Sequence, residues 1–280
     1  MATDLRHSKN GIVKPMNFSI VLSTQPSSFS ALAYKGNLAE NIAKIKAVGF
    51  DGVELAVRDP GQLDADFLLA TLKEAKLIVP AIGTGQAFVE ERLSFTDSRR
   101  EIREQAIQRI RSQVKLAERL NAIVIIGLVR GKWDSEVSHG SAERWLIEAM
   151  QECASVYESI SFAIEPINRY ETNLVNSVRS GLELLAKINK RNVGLLLDTF
   201  HMNIEEPSLI SAIKSAREHL FHFHVADSNR WYPGAGHVDF RAVFDTLKEI
   251  DYSGFVSAEI LPLPDPDTAA RQTIEFFRTL

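Results

Sequence analysis

The sequence predicts a closed (β/α)8 barrel, and three observations carry that expectation. After residue 16, short apolar strands alternate with amphipathic helices to the last residue. The alternation makes eight strand–helix units, with no change of composition that would mark a linker. The strands are also continuous apolar runs, such as AIVIIGLV at 122–129, as a parallel sheet buried on both faces requires. Parallel neighbours need crossover connections, which the helices supply. Eight units in about 250 residues fit a barrel of this kind. An open doubly wound sheet is the alternative, but the first strand–helix turn lacks a GxGxxG loop.

The elements follow in order. Residues 1–16 read as a polar extension, without the apolar core and small-residue cleavage site of a secretory signal. Residues 17–280 read as one barrel domain. Strands are expected at 17–23, 51–57, 77–83, 122–129, 161–165, 192–198, 220–227 and 254–260. Helices are expected at 38–50, 64–76, 97–120, 141–158, 177–188, 208–218, 240–250 and 267–280. Leu38, Ile42, Ile45 and Val48 recur at helical spacing, and Gly49 is the expected stop. Asp97 is the expected cap of the long fourth helix. Residues 84–96 read as a loop.

Composition narrows the class. The chain has 280 residues and a net charge of -4, without the basic run that a nucleic-acid partner favours. No apolar run approaches the roughly 18 residues of a membrane span. Cys153 is the single cysteine, so no internal disulfide framework exists. These features fit a cytoplasmic protein with a small-molecule partner.

The strand ends carry the chemistry. In FAIEPINRYETN the fifth strand ends on Glu165, and Pro166 forbids further pairing through its own nitrogen. Taken alone, Glu165 could be a strand-end carboxylate paired with Arg169. The next strands end in the same way: the sixth on Asp198, the seventh carrying His224 and the eighth reaching Glu259. Barrel strands converge at this end. Three carboxylates aimed at one point repel one another unless a cation separates them. Three oxygen donors and one imidazole suit Mn²⁺, Mg²⁺ or Co²⁺ better than structural zinc. His222 and His224 flank Phe223, and one of the pair is expected to face inward and the other the helices. His224 is taken as the ligand because it lies nearer the strand end. His7, His139 and His219 are expected at the surface. Glu171, His201 and Arg230 fall in the loops that roof the point of convergence.

The segments EPINRYE, LDTFHMNIEE and HVADSNR, together with Glu259, resemble the ketose 3-epimerases of the xylose-isomerase-like barrel superfamily. The spacings Glu165 to Glu171, Asp198 to His201 and His224 to Arg230 match that pattern. Within the family, the chain is similar to members acting on keto-sugar acids in inositol catabolism. That likeness extends through LAYKGNL, ELAVRDP, AIGTGQAF, VIIGLVRG and HFHVADSNRWYPGAGHVDF, so it runs through nearly the whole chain.

The resemblance implies a Mn²⁺-type ion on Glu165, Asp198, His224 and Glu259, with Glu165 and Glu259 as the acid–base pair. It also implies a homodimer or homotetramer and a keto-sugar or keto-sugar-acid substrate. Epimerising a carbon beside a ketone means removing a proton from one face and returning one to the other, and two carboxylates can do both. His201, Arg230 and Glu171 would fix the sugar oxygens. For an acid substrate, Arg58, Arg130, Lys132 and the Gly83–Thr84–Gly85 turn could meet the carboxylate. Phe88, Trp133, Trp231 and Tyr232 could line the pocket or form subunit contacts, and residues 84–96 could be a lid. Other readings are a neutral-ketose 3-epimerase, a hydroxypyruvate-type aldose–ketose isomerase and a sugar-binding barrel. A DNA-repair endonuclease of the same superfamily would need a richer histidine set and a basic groove.

Overall fold

The computed structural model describes residues 16–280. The extension read at the N-terminus, including His7, lies outside the described residues apart from Met16. Eight parallel staves close the barrel: β1 (Asn17–Ser23), β3 (Gly52–Ala56), β4 (Ala81–Gly83), β5 (Ile123–Ile126), β6 (Phe162–Ile164), β7 (Val193–Asp198), β8 (Leu220–Val225) and β9 (Phe255–Ala258). Pairing of β1 with β9 closes the ring, with Ile20 opposite Ala258. A two-residue strand, β2 (Tyr34–Lys35), pairs outside the ring with the end of β1.

The main crossover helices are α1 (Leu38–Val48), α2 (Ala65–Ala75), α4 (Arg100–Leu120), α5 (His139–Val156), α6 (Val178–Ile188), α8 (Leu209–Ala216), α9 (Phe240–Glu249) and α10 (Pro266–Phe277). Two further helices arise where the sequence reading has none. Helix α3 (Gln86–Glu91) interrupts the expected loop at 84–96, and α7 (Thr199–Glu205) starts directly from β7. Both span fewer than two full turns, too little for a period of 3.6 to stand out. Asp97 does not cap α4, which begins at Arg100 with Arg99 in the capping position. The Asp97 carboxylate instead accepts the Arg99 N–H at 2.9 Å and pairs with the Arg99 guanidinium. The third strand begins at Ala81 rather than at residue 77, with Ile78 joining through an isolated bridge to Gly52. Pro80 stands just before it, without an N–H for the ladder.

Strand alternation sorts every stave into two faces. Ile82, Val124, Ile164, Leu197, Phe223 and Val256 face the helices in the main core. Ala81, Ile125, Ala163 and Leu196 form a separate cluster inside the ring. This parity positions the site. Glu165 lies two residues beyond Ala163, Asp198 two beyond Leu196 and Glu259 two beyond Ser257, so each continues an inward-facing row.

Candidate active site

Glu165, Asp198, His224 and Glu259 converge at the C-terminal mouth of the barrel. Each offers a ligand atom, and these atoms lie within 4.8 Å of one another. Asp198 and His224 stand opposite each other in the β7–β8 ladder. Glu165 follows β6 and Glu259 follows β9, so the four donors come from four consecutive staves. Asp198 also starts α7, because its Oδ1 accepts the Phe200 N–H at 2.8 Å. Gly127 leaves room beside Glu165: a Cβ there would lie 3.0 Å from Glu165 Oε2.

Three donor atoms of this cluster are buried with no hydrogen-bond partner: Glu165 Oε1, Asp198 Oδ2 and His224 Nδ1. Buried polar atoms are rarely left so, and three facing one point call for a shared electrophile. The electrostatics agree. Burial, and then the charge of Glu259, pushes Glu165 well above the usual carboxylate range. Burial raises Glu259 to about 7 and also raises Asp198. Burial opposes charge on His224, yet Glu54 and the carboxylates around it lift the imidazole to about 10. A cation among these groups would take over the charge balance that shared protons otherwise supply. The residues present therefore fit a divalent metal.

Glu54 is the member that sequence reasoning placed only on a strand. Its carboxylate lies inside the ring, 2.7 Å from His222 Nε2 and 3.0 Å from His224 Nε2. Burial opposes its charge, but His224 and the imidazole hydrogen bonds hold it well below the usual range. The expectation that one of His222 and His224 faces the helices is corrected here. Residues two apart on a strand share a face, and both imidazoles meet Glu54. A carboxylate in the middle of the apolar run GVELA was the available signal. His139 and His219 are exposed, as expected.

The roof is one hydrogen-bonded chain. Arg230 donates from Nη2 to Glu259 Oε2 at 3.0 Å and from Nη1 to Glu171 Oε1 at 2.9 Å. Asn168 Nδ2 lies 3.0 Å from the same Glu171 oxygen and 2.8 Å from His201 Nδ1. Burial, reinforced by the charges of Arg230 and Arg130, pushes the His201 imidazole well below its ordinary value, so it is neutral. Arg230 itself sits at φ 63° in a loop knitted by Asp227. The buried Asp227 carboxylate accepts backbone N–H groups from Ser228, Gly234 and Val238. Gly236 is required beside it, since a Cβ would lie 2.3 Å from Asp227 Oδ1. The Arg230 guanidinium also lies 4.7 Å from the Phe200 ring centre.

A cavity opens above these groups. Glu54, Glu165, Glu171, His201, His224, Arg230 and Glu259 are among its lining residues. Val21, Phe29, Leu32, Val89 and Leu128 add apolar lining, and the Gly83–Thr84–Gly85 turn lines it as well. Arg58 and Arg130 do not line it. Arg58 lies 3.5 Å from Glu91. Arg130 is buried beneath the loops and donates to the carbonyls of Gly127, Leu174 and Val175. Its guanidinium is committed to the backbone, which removes the reason for expecting it on a substrate carboxylate. Lys132, Phe88, Trp133, Trp231 and Tyr232 are also absent from the lining, and Phe88 borders a separate groove.

Comparison with known proteins agrees with this fold. The family described as xylose isomerase-like TIM barrel matches residues 42–280. The chain is 31% identical over 245 residues to an L-ribulose 3-epimerase of Methylomonas sp., covering 85% of this chain and 84% of the relative. It is 32% identical over 228 residues to a D-psicose 3-epimerase of Ruminiclostridium cellulolyticum, covering 78% and 76%. A crystal structure of D-allulose 3-epimerase from Methylomonas sp. in complex with D-allulose superposes with a TM-score of 0.80 at 26% identity, covering 94% of this chain and 96% of that one. Among the described residues no helix is long and apolar enough to cross a membrane. The chain belongs to the xylose isomerase-like TIM barrel family, among its ketose 3-epimerases, and is an isomerase acting on carbohydrates.

Proposed function

We propose that this epimerase is metal-dependent and inverts the carbon beside the ketone of a keto-sugar acid, converting 5-keto-L-gluconate to D-tagaturonate. The observation that carries the metal-dependent chemistry is the trio of partnerless buried atoms, Glu165 Oε1, Asp198 Oδ2 and His224 Nδ1, beside the cavity. Glu165, Asp198, His224 and Glu259 would hold the ion, with Mn²⁺ first and Mg²⁺ or Co²⁺ as alternatives. When bound, such an ion offsets negative charge on the ketone and neighbouring hydroxyl oxygens.

The protein groups supply the proton chemistry. Glu165 and Glu259 stand on the outer two of the four donor staves, and a sugar carbon between them is exposed to both. One carboxylate removes the proton beside the ketone and leaves an enediolate. The other, in its acid form, returns a proton to the opposite face. The pair then re-equilibrates by exchanging protons with solvent. Arg230 holds Glu259 in place and, with Glu171 and His201, fixes sugar oxygens so that the reacting carbon does not turn over. Phe29, Leu32 and Leu128 give the cavity part of its apolar lining.

The choice of an acid substrate rests on the likeness of the sequence segments to keto-sugar-acid epimerases. The Gly83–Thr84–Gly85 turn lines the cavity and offers the contact for the carboxylate. Arg58 and Arg130 are not assigned to it. One observation favours a neutral ketose instead: among the described residues lining the cavity, Arg230 is the only Lys or Arg, and two glutamates already engage it.

Proton exchange in D₂O separates the readings. Protein stripped of metal and restored with Mn²⁺, Mg²⁺ or Co²⁺ is offered 5-keto-L-gluconate, D-tagaturonate, D-tagatose and D-fructose, with any paramagnetic ion removed before NMR. The expected result is metal-dependent loss of the proton beside the ketone, appearance of the epimer, and preference for the acids. Preference for the neutral ketoses would keep the mechanism and discard the acid substrate. Absence of exchange in all four, with metal bound, would overturn the reading.

A further inference from the structure

We infer that Asn168 is a positioning residue that fixes His201 with its proton on Nε2, so that the imidazole offers a donor to an oxygen of the bound sugar. The sugar as ligand rests on the function proposed above; the state of the imidazole does not.

The assignment follows from which groups can donate. Asn168 is 1% exposed, so its amide must find its partners within the protein. Asn168 Oδ1 accepts the Tyr170 backbone N–H at 2.9 Å. At the other end, Asn168 Nδ2 lies 3.0 Å from Glu171 Oε1, an oxygen also bonded to Arg230 at 2.9 Å. An amide with a backbone N–H at one end and a carboxylate at the other has one sensible orientation. Both Nδ2 hydrogens are donors, one to Glu171 and one to His201 Nδ1 at 2.8 Å.

His201 Nδ1 must therefore accept. Were Nδ1 protonated, it would meet an N–H₂ group head-on. Its nearest carboxylate oxygen, on Glu171, lies at 4.0 Å, outside hydrogen-bond range. In a neutral ring the hydrogen bond at one nitrogen decides the state of the other, so the proton sits on Nε2.

The Nε2–H has no protein acceptor in range among the described residues. Glu165 Oε1 lies at 3.6 Å and Asp198 Oδ2 at 3.8 Å, both too far for a direct bond. His201 lines the cavity. The N–H thus addresses the point on which the donor cluster converges, where an oxygen of the reacting sugar would sit. A ketone or alkoxide oxygen accepts from such a group. The opposite tautomer would aim a lone pair at that oxygen and repel it.

The test reads the ring directly. Full-length protein labelled with ¹⁵N-histidine, metal-free and loaded with diamagnetic Mg²⁺, is examined by long-range proton–nitrogen correlation. His201→Gln identifies the signal among the seven histidines. The wild type should show a neutral ring protonated on Nε2. Asn168→Ala should give a tautomer mixture. Asn168→Asp, which can only accept, should move the proton to Nδ1 and lower kcat by about 100-fold, as expected for a lost donor at a developing oxyanion. A wild-type ring protonated on Nδ1, or on both nitrogens, would overturn the assignment, as would an unchanged wild-type pattern in Asn168→Asp. The spectrum needs no turnover. Failure of the epimerase reading would appear separately, as metal-bound wild type that exchanges no substrate proton.

Discussion

Both oxygens of Glu54 lie 3.0 Å from His224 Nε2, so the imidazole is held from its far side while Nδ1 is left free toward Glu165. A carboxylate behind a ligating histidine fixes ring orientation and tautomer and raises ligand basicity. Glu54→Gln keeps the shape and removes the charge. It should weaken divalent-metal affinity by about 10- to 100-fold, read by calorimetric titration of Mn²⁺ into stripped protein. Unchanged affinity in a folded variant would deny Glu54 this role.

The same contacts give the metal-free protein a pH dependence. His224 titrates near 6.5 in an unfolded chain and is raised to about 10 in the fold. Its contribution to stability is complete below pH 6.5 and is lost as pH rises through about 10. Glu259, raised from 4.5 to about 7, acts in the same direction over its own lower window. Metal-free protein should therefore have a lower Tm at pH 9 than at pH 7. Saturating Mg²⁺ should flatten that slope, because the ion rather than a proton then balances the carboxylates. A Tm that rises between pH 7 and 9 without metal would contradict the assigned charge states.

The staves and the convergence of Glu165, Asp198, His224 and Glu259 were legible because strand ends are local in sequence and barrel closure brings them together. The inward direction of Glu54 and His222 was also present in the two-residue period, which puts His222 on the same face as His224. Helices α3 and α7 were not legible. Their six and seven residues are too few for periodicity, and α7 is started by an Asp198 carboxylate that also faces the donor cluster. Arg130 could not be placed from its neighbours, since two of its acceptors are the carbonyls of Leu174 and Val175, 44 and 45 residues away. A loop arginine expected at the substrate is thus tied to the backbone, a fact that only tertiary packing creates.

That placement makes Arg130 a stability residue. Arg130→Met would remove three guanidinium hydrogen bonds and leave the Leu174 carbonyl without its donor, while the Gly127 and Val175 carbonyls keep the backbone N–H groups of residue 130 and Ile167. The cost should be about 2–4 kcal/mol, or roughly 5–10 °C in Tm for a chain of this size. The ratio of activity on acid and neutral ketoses should stay within about twofold of the wild type, a change of about 0.4 kcal/mol. A large shift of that ratio without loss of Tm would return Arg130 to the substrate site.

Two opposed carboxylates make a sharper claim than one base that swings between faces. If Glu165 serves one face and Glu259 the other, replacing either should stop epimerisation, with a loss of about 10²- to 10⁴-fold. Each single variant should still exchange the proton of one epimer with D₂O, namely the epimer whose proton faces the surviving carboxylate. Glu165→Gln and Glu259→Gln should therefore label opposite epimers, with metal content measured first because both residues belong to the donor cluster. The pattern is insensitive to how far each variant is slowed, since it depends on which substrate exchanges and not on how fast. Loss of metal would silence both epimers equally and so cannot imitate it. Labelling of the same epimer by both variants would mean that one group carries the proton on both faces, and the two-carboxylate mechanism would have to be abandoned.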